Sequence, residues 1–383
     1  MSQLTDMHSA GSRVEERRML RASAADFVAH TVDHKRTRER RNVLPGYDRS
    51  VLKEIAGLGW NGILVPERFG GLGLGFAEMA IVLEELGKGL LAEPITASFV
   101  LGTRSLLHGD NPALKDALLA KIADGVLLPS VAWQEDAGGL DASAINTRAE
   151  NTEDAVRISG RKRFVSGAGA ADGFIVSARL GHDIGLYWVE RDAPGLDLVY
   201  EWRADGTPSA ILTLSDVTVK KSAMVASPDV GLRAVNRAID ETAVMVCAEM
   251  CGVMRATLDM TLEYMRTRVQ FGKPIGSFQA LQHRVVDLYV QQELAGAVLN
   301  EATALLDGDC DELIRARTAS RAKARACEAG LRIARDAVQF HGAIAIQDEC
   351  NVGLYLKRAL VLSAWLGNAG EHRRRFASLS MAA

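Results

Sequence analysis

The chain has 383 residues, 48% of them hydrophobic and 24% charged, with a formal net charge of −3. This is ordinary globular composition with room for two or three domains, and it gives no general electrostatic case for nucleic acid or a membrane surface as partner. No run of roughly eighteen uncharged apolar residues predicts a transmembrane span, and the polar start MSQLTDMHSAGSRVEERR has no apolar signal core, so a cytoplasmic protein is expected.

Residues 1–13 read as frayed. From about Val14 to Gly125, apolar residues recur at spacings of three and four. This predicts helices in VEERRMLRASAADFVAHTV, RSVLKEIAGLG, FAEMAIVLEELGKGLL, ASFVLGTRSLLHG and ALKDALLAKIADG. The intervening WNGILVPERFGGLGLG reads as a structured turn, because of its Gly–Gly and Pro. The basic run HKRTRERR (34–41) reads as a solvated helix face or loop. From about Leu127 to Ala226 the period changes. LLPSVAWQE, AVRISGRKRFVSG, GFIVSARL, IGLYWVER and AILTLSDVTV are short runs rich in Val, Ile, aromatics and Thr, separated by Gly, Asp and Pro turns, and they predict strands. From Gly231 onward, long helices return.

The predicted divisions are therefore helical residues 1–126, a β domain at 127–227 and a helical bundle at 228–383. Strand–helix alternation is absent, so a doubly wound nucleotide fold is not expected. GGLGLG and GAGA do not sit between a strand and a helix at dinucleotide-fingerprint spacing. The five cysteines, Cys247, Cys251, Cys310, Cys327 and Cys350, form no C-x-x-C, and Cys247 and Cys251, one helical turn apart, have no nearby His to complete a ligand set. They predict reduced, mostly buried thiols and no metal site.

The most unusual stretch is RTRVQFGKPIGSFQALQHR (266–284), where Gly272 and Pro274 interrupt a long helical pattern beside two arginines, an amide and an aromatic. That stretch resembles the flavin-binding helix–turn–helix of the acyl-CoA dehydrogenase family. Three further segments resemble the same family: GLGWNGILVPERFGGLGLG (57–75), ISGRKRFVSGAGAADGFIVSAR in the β region, and AVQFHGAIAIQDE (337–349). The resemblance covers about Val14 to Ala377. It implies an α+β fold with an N-terminal helical domain, a middle β-barrel-like domain and a C-terminal four-helix bundle. It also implies FAD held across a subunit interface.

The resemblance places Arg268 on the FAD pyrophosphate, which a planar guanidinium can pair in two places at once. Gln270, Phe271 and Gln279 match further cofactor-contact positions, with Phe271 against the adenosine end. Gln339 and Gly342 match positions where another subunit's backbone meets the cofactor; the family's second Gly is Ala343 here. On the β domain, Ser166 matches the hydroxyl donor to flavin N5, Phe164 the aromatic beside the ring, and Gln134 a contact to the pyrimidine edge. Leu140 stands where a Ser usually contacts the thioester ligand.

The implied reaction is α,β-dehydrogenation of an acyl-CoA thioester to the 2-enoyl-CoA, with a carboxylate removing a proton from Cα. Leu366 occupies the usual position of that carboxylate, and Thr242 the alternative position on the long helix. Glu241, beside Thr242, is the leading candidate base. Glu249 reads as a buried structural carboxylate paired with an arginine, and Asp348 and Glu349 as helix-start residues. Two main readings follow. One is a dehydrogenase with a relocated base. The other is a non-catalytic or half-site subunit of a heteromeric acyl-CoA dehydrogenase. A third, a flavoprotein of this fold with another substrate or with DNA, is disfavoured for DNA by the net charge. Implied partners are acyl-CoA, an electron-transfer protein, and further copies or a sister subunit.

Overall fold

The structure is a computed structural model that describes residues 2–381, with side chains from residue 13 onward. The first part is helical: α1 (Ser2–Thr31), α2 (His34–Glu39), α3 (Arg49–Gly57), α4 (Phe76–Gly89), α5 (Thr103–His108) and α6 (Pro112–Ala123), with a π-helical turn at Thr96–Gly102 leading into α5. Helix α1 thus runs through residues where fraying was expected. Local chemistry sets several starts. Asp48 accepts the Ser50 N–H ahead of α3, and Asn111 caps α6, whose first residue is Pro112. The turn between α3 and α4 folds back on itself, and a Cβ on Gly71 would lie 2.1 Å from the Val65 carbonyl oxygen, so only glycine fits there.

The middle part is one eight-stranded sheet: β1 (Pro129–Ala132), β2 (Arg148–Asn151), β3 (Ala155–Ser166), β4 (Gly173–Leu180), β5 (Asp183–Glu190), β6 (Leu196–Trp202), β7 (Pro208–Lys220) and β8 (Met224–Ala226). Its order is β6-β7-β3-β2-β4-β5-β8, with β1 added parallel to β4. The inner face buries Val156, Ile158, Phe174, Val176, Tyr187 and Leu212. In the β3–β7 ladder the register shifts between Lys162 and Val165, and inside that bulge Phe164 takes a φ of 59°.

The last part is a helical bundle: α7 (Pro228–Thr267), α8 (Gln279–Asp307), α9 (Glu312–His341), α10 (Val352–Ala364) and α11 (Ala369–Met381). Helix α9 packs against the other four, so α11 joins the expected four. Helix α7 is the axis of the molecule. Every residue from Ala238 to Met254 is buried, because α4, α9, α10 and the sheet surround it. Glycines let α4 and α7 touch backbone to backbone: a Cβ on Gly252 would sit 1.9 Å from the Glu84 carbonyl oxygen.

Two expectations about charged segments need correction. The basic run at 34–41 is not a solvated face. Arg36 pairs with buried Glu93, Arg40 with Asp48, and Arg41 with both oxygens of Asp348 at 2.7 and 2.6 Å. Arg38 donates to the Asp348 carbonyl and to Asn351. Asp348 is accordingly an interdomain tie rather than a helix-start residue, and α10 begins after Asn351. Among the described residues no helix is long and apolar enough to cross a membrane, and no cluster of His, Cys, Asp and Glu could hold a metal.

Candidate functional site

The α7–α8 break is a miniature hairpin. Strand β9 (Val269–Gln270) pairs with β10 (Lys273–Pro274), and the two residues between them, Phe271 and Gly272, have φ of 54° and 79°. Positive φ at both positions is the mirror-image turn that suits a two-residue hairpin loop, usually made by Asn-Gly. Here the first position is an aromatic, 91% exposed. Arg268, at the C-cap of α7, is also exposed, and its guanidinium has no hydrogen-bond or ion-pair partner among the described residues. A groove of about 430 Å³ beside the hairpin is lined by Gln270, Phe271, Phe278, Arg284, Gln339 and Phe340. Gln279 opens α8 at the same place, and Gly342, with a φ of 67° and nothing within 4 Å of its Cβ position, ends α9 there. The structure thus gathers Arg268, Gln270, Phe271, Gln279, Gln339 and Gly342 at one end of the bundle.

Gln134, Phe164 and Ser166 form a second group on the sheet. The bulge at Phe164 turns its ring outward, 38% exposed, with the Arg163 guanidinium 5.0 Å from the ring centre. Gln134 donates its amide to the Gly139 carbonyl at 2.8 Å, closing the loop that carries Leu140. Ser166 is buried; its Oγ accepts from Arg203 Nη1 at 3.1 Å and keeps its own hydrogen to donate. Ser166 lines a small cavity of about 50 Å³, and neither this cavity nor the hairpin groove is lined by residues of the other group.

Family models for the acyl-CoA dehydrogenase N-terminal, middle and C-terminal domains match residues 14–126, 130–217 and 229–379. The acyl-CoA dehydrogenase IpdE2 of Mycolicibacterium smegmatis is 33% identical, covering 94% of this chain and 97% of that one. The chain belongs to the acyl-CoA dehydrogenase family. Cyclohex-1-ene-1-carbonyl-CoA dehydrogenase of Geobacter metallireducens is 28% identical over 86% of this chain and 88% of its own. A chain of the ChsE4-ChsE5 complex from Mycobacterium tuberculosis superposes with a TM-score of 0.87 at 26% identity, over 96% of this chain and 97% of that one.

Acyl-CoA dehydrogenases are FAD-dependent oxidoreductases, and the residues present fit that cofactor. An unpaired guanidinium suits a pyrophosphate, the groove offers two amides and one exposed ring, and the sheet presents an outward aromatic beside a hydroxyl donor. The backbone adds a signal that composition and spacing did not carry. Of the six non-glycine residues with positive φ among the described residues, three are Phe164, Phe271 and Leu366, all at positions where the resemblance places cofactor or chemistry.

Leu366 and Thr242, the two positions where the resemblance places the base, carry no carboxylate. Leu366 is buried at the α10–α11 corner with a φ of 56°. His372 Nε2 lies 2.8 Å from the Leu366 carbonyl oxygen, and buried Lys323 donates to the carbonyls of Leu362 and Gly367, 2.9 Å each. Glu241 is 1% exposed and fully engaged: it accepts Arg104 through both oxygens at 2.7 and 3.1 Å, Arg237 at 3.0 Å, and faces His108 Nε2 at 2.7 Å. Burial works to raise its pKa, but His108 and Arg104 together outweigh it and hold the carboxyl well below the usual range. It does not line the Ser166 cavity. Glu249 does, and it pairs with Arg358 as a buried structural carboxylate should.

Sequence reasoning missed three groups here. Arg203 and Arg358 approach Ser166 and Glu249 from distant segments. Asp240 lines an open cleft of about 780 Å³ with Leu140, Glu371, Arg374 and Arg375. Arg375 grips Asp240 through both oxygens at 2.5 and 3.0 Å, and burial raises the Asp240 pKa in spite of that partner.

Proposed function

We propose that this chain serves FAD-dependent α,β-dehydrogenation of an acyl-CoA thioester to the 2-enoyl-CoA, as the subunit that completes a cofactor site on a sister chain. The carrying observation is the left-handed Phe271 hairpin with its unpaired Arg268, a projecting set of contacts whose groove shares no lining residue with the Ser166 cavity. Arg268 would hold the pyrophosphate, Phe271 the adenosine end, and Gln270, Gln279, Gln339 and Gly342 the approach between them. On the sheet, Phe164 and Ser166 would border a flavin ring, with Gln134 at its pyrimidine edge. FAD, when bound, supplies the acceptor for the hydride leaving the acyl Cβ. Proton removal from Cα needs a carboxylate, and Leu366 together with the ion-paired Glu241 supports a base on the sister chain. An apolar row on α8, Val286, Tyr289, Val290 and Leu294, each 45–57% exposed, supports assembly with another subunit. We place the assembly in the cytoplasm, passing electrons to a separate electron-transfer protein.

The second reading keeps a homo-oligomer with Glu241 as base. Its position beside Thr242 favours it, but the carboxylate would have to leave Arg104 and His108 first. Co-purification from the native host with flavin spectroscopy separates the two. A sister chain in a yellow complex, with flavin lost from Arg268→Ala, is the expected outcome. A homo-oligomer that is reduced by acyl-CoA and silenced by Glu241→Gln would replace it.

A further inference from the structure

The cavity beside Ser166 is filled with charge. Arg203, Glu249 and Arg358 line it, with Asp205 just behind them, and Glu93, paired with Arg36, lines it as well. Arg358 on α10 binds Glu249 of α7 through Nε at 2.7 Å and again through Nη2, and binds Asp205 through Nη1 at 2.8 Å. The second Glu249 oxygen accepts Thr96 Oγ1 at 3.2 Å, from the π-helical turn. Asp205 also accepts the Thr207 N–H and hydroxyl at 2.9 and 2.5 Å. Arg203 donates to Thr207 Oγ1 at 2.9 Å and to Ser166 Oγ at 3.1 Å. Two guanidiniums thus face two carboxylates, so the group is neutral as a whole and needs no further ion.

The space that remains is small. About 50 Å³ is open, bounded on the apolar side by Leu86, Leu91, Ile95 and Trp365. One water needs about 10–15 Å³ of such space, and pockets for drug-sized ligands run to about 300–1,000 Å³. An apolar chain seated beside Ser166 would lie against Glu249 and Arg358, and parting their pairs would leave buried charges without partners, which is strongly unfavourable.

We infer that the Arg203–Asp205–Glu249–Arg358 quartet closes this chain's own acyl cavity, so that the subunit does not bind an acyl thioester at its Ser166 face. The inference deepens the half-site reading and rests on it. The quartet is a specificity element of a negative kind: it excludes apolar acyl groups from one subunit and leaves turnover to the other. Glu249 and Arg358 are its centre, since each joins two other members or elements.

The test is titration calorimetry of the purified chain, as isolated with its flavin content recorded, against octanoyl-CoA and butyryl-CoA. The chain itself should show no saturable acyl-dependent binding beyond that of free CoA. Glu249→Ala combined with Arg358→Ala removes both central charges and their bulk, and should gain octanoyl-CoA affinity over the parent by about tenfold or more. If that variant does not fold, Glu249→Val with Arg358→Leu keeps an apolar filling, and should gain butyryl-CoA affinity in the same sense. Tight, stoichiometric octanoyl-CoA binding by the unaltered chain overturns the inference. So does a folded variant that binds no better than the parent. The half-site reading fails separately, through substrate reduction of flavin in a homo-oligomer, whether or not the quartet controls binding.

Discussion

The hairpin at Phe271 and the cavity at Ser166 are opposites. At the hairpin, a guanidinium has no partner, a ring is almost wholly exposed and a groove stands open. At the cavity, two guanidiniums and two carboxylates are bound to one another or to neighbouring hydroxyls, and little space remains. Unsatisfied, exposed recognition groups signal contacts made outside the subunit, because unpaired cations and apolar rings gain most from a partner. A saturated, neutral buried network signals the reverse: its groups stabilise the fold and exclude ligands. The same chain thus has an outward half built to contribute and an inward half built to stay shut.

The sharpest way to break that contrast is to open the closed side. Arg358→Met alone leaves Glu249 without its cation and Asp205 facing only Arg203, and removing one partner of a buried pair costs about 3–5 kcal/mol. Chemical denaturation should show a loss of that order, and a loss below about 1 kcal/mol would mean that the quartet is wetter than its geometry indicates.

The α10–α11 corner gives a pH test of the same inward half. Burial lowers the His372 pKa from 6.5 to about 3, so the folded state holds this ring neutral while the unfolded chain takes up a proton. The unfolded state therefore binds more protons between those values, and stability should fall as pH drops from about 6.5 toward 3, by a few kcal/mol at most. His372→Phe should flatten that limb in pH-dependent unfolding. An unchanged acid limb would locate the titrating group elsewhere.

On the outward side, Arg268→Ala should leave the unfolding midpoint where it is and weaken flavin retention by about 1.5–3 kcal/mol, the usual value of a charge-assisted contact. The measurement is flavin content after dialysis. Phe271→Ala should give the smallest effect on stability, within about 0.5 kcal/mol for an exposed residue, together with a measurable loss of flavin affinity. If Phe271→Ala unfolds the protein instead, the ring is a packing residue and the contrast is weakened.

Much of this was legible in the sequence, and the failures have physical causes. Periodicity located the helices and strands because most elements bury only one face. It could not orient α7, whose residues from Ala238 to Met254 are buried all round. The sequence therefore ranks Glu241 ahead as a base for its place beside Thr242, and only the fold shows it locked by Arg104, as Glu249 is by Arg358. The basic run at 34–41 was misread because its partner Asp348 lies 307 residues from Arg41. The flavin-contact positions were recognisable from RTRVQFGKPIGS, but the hairpin was not, since Phe-Gly is an unusual pair for a turn with two positive φ values. The quartet joins residues from β6–β7, α7 and α10, and no local pattern announces it.

The most direct test of the account is anaerobic reduction of bound flavin by an acyl-CoA, followed by absorbance, on the chain alone and on the complex that it forms with partners from its native host. Bleaching is expected in the complex and none in the chain alone, even when FAD is added. Bleaching in the chain alone, at a rate matching the complex, would contradict the half-site reading.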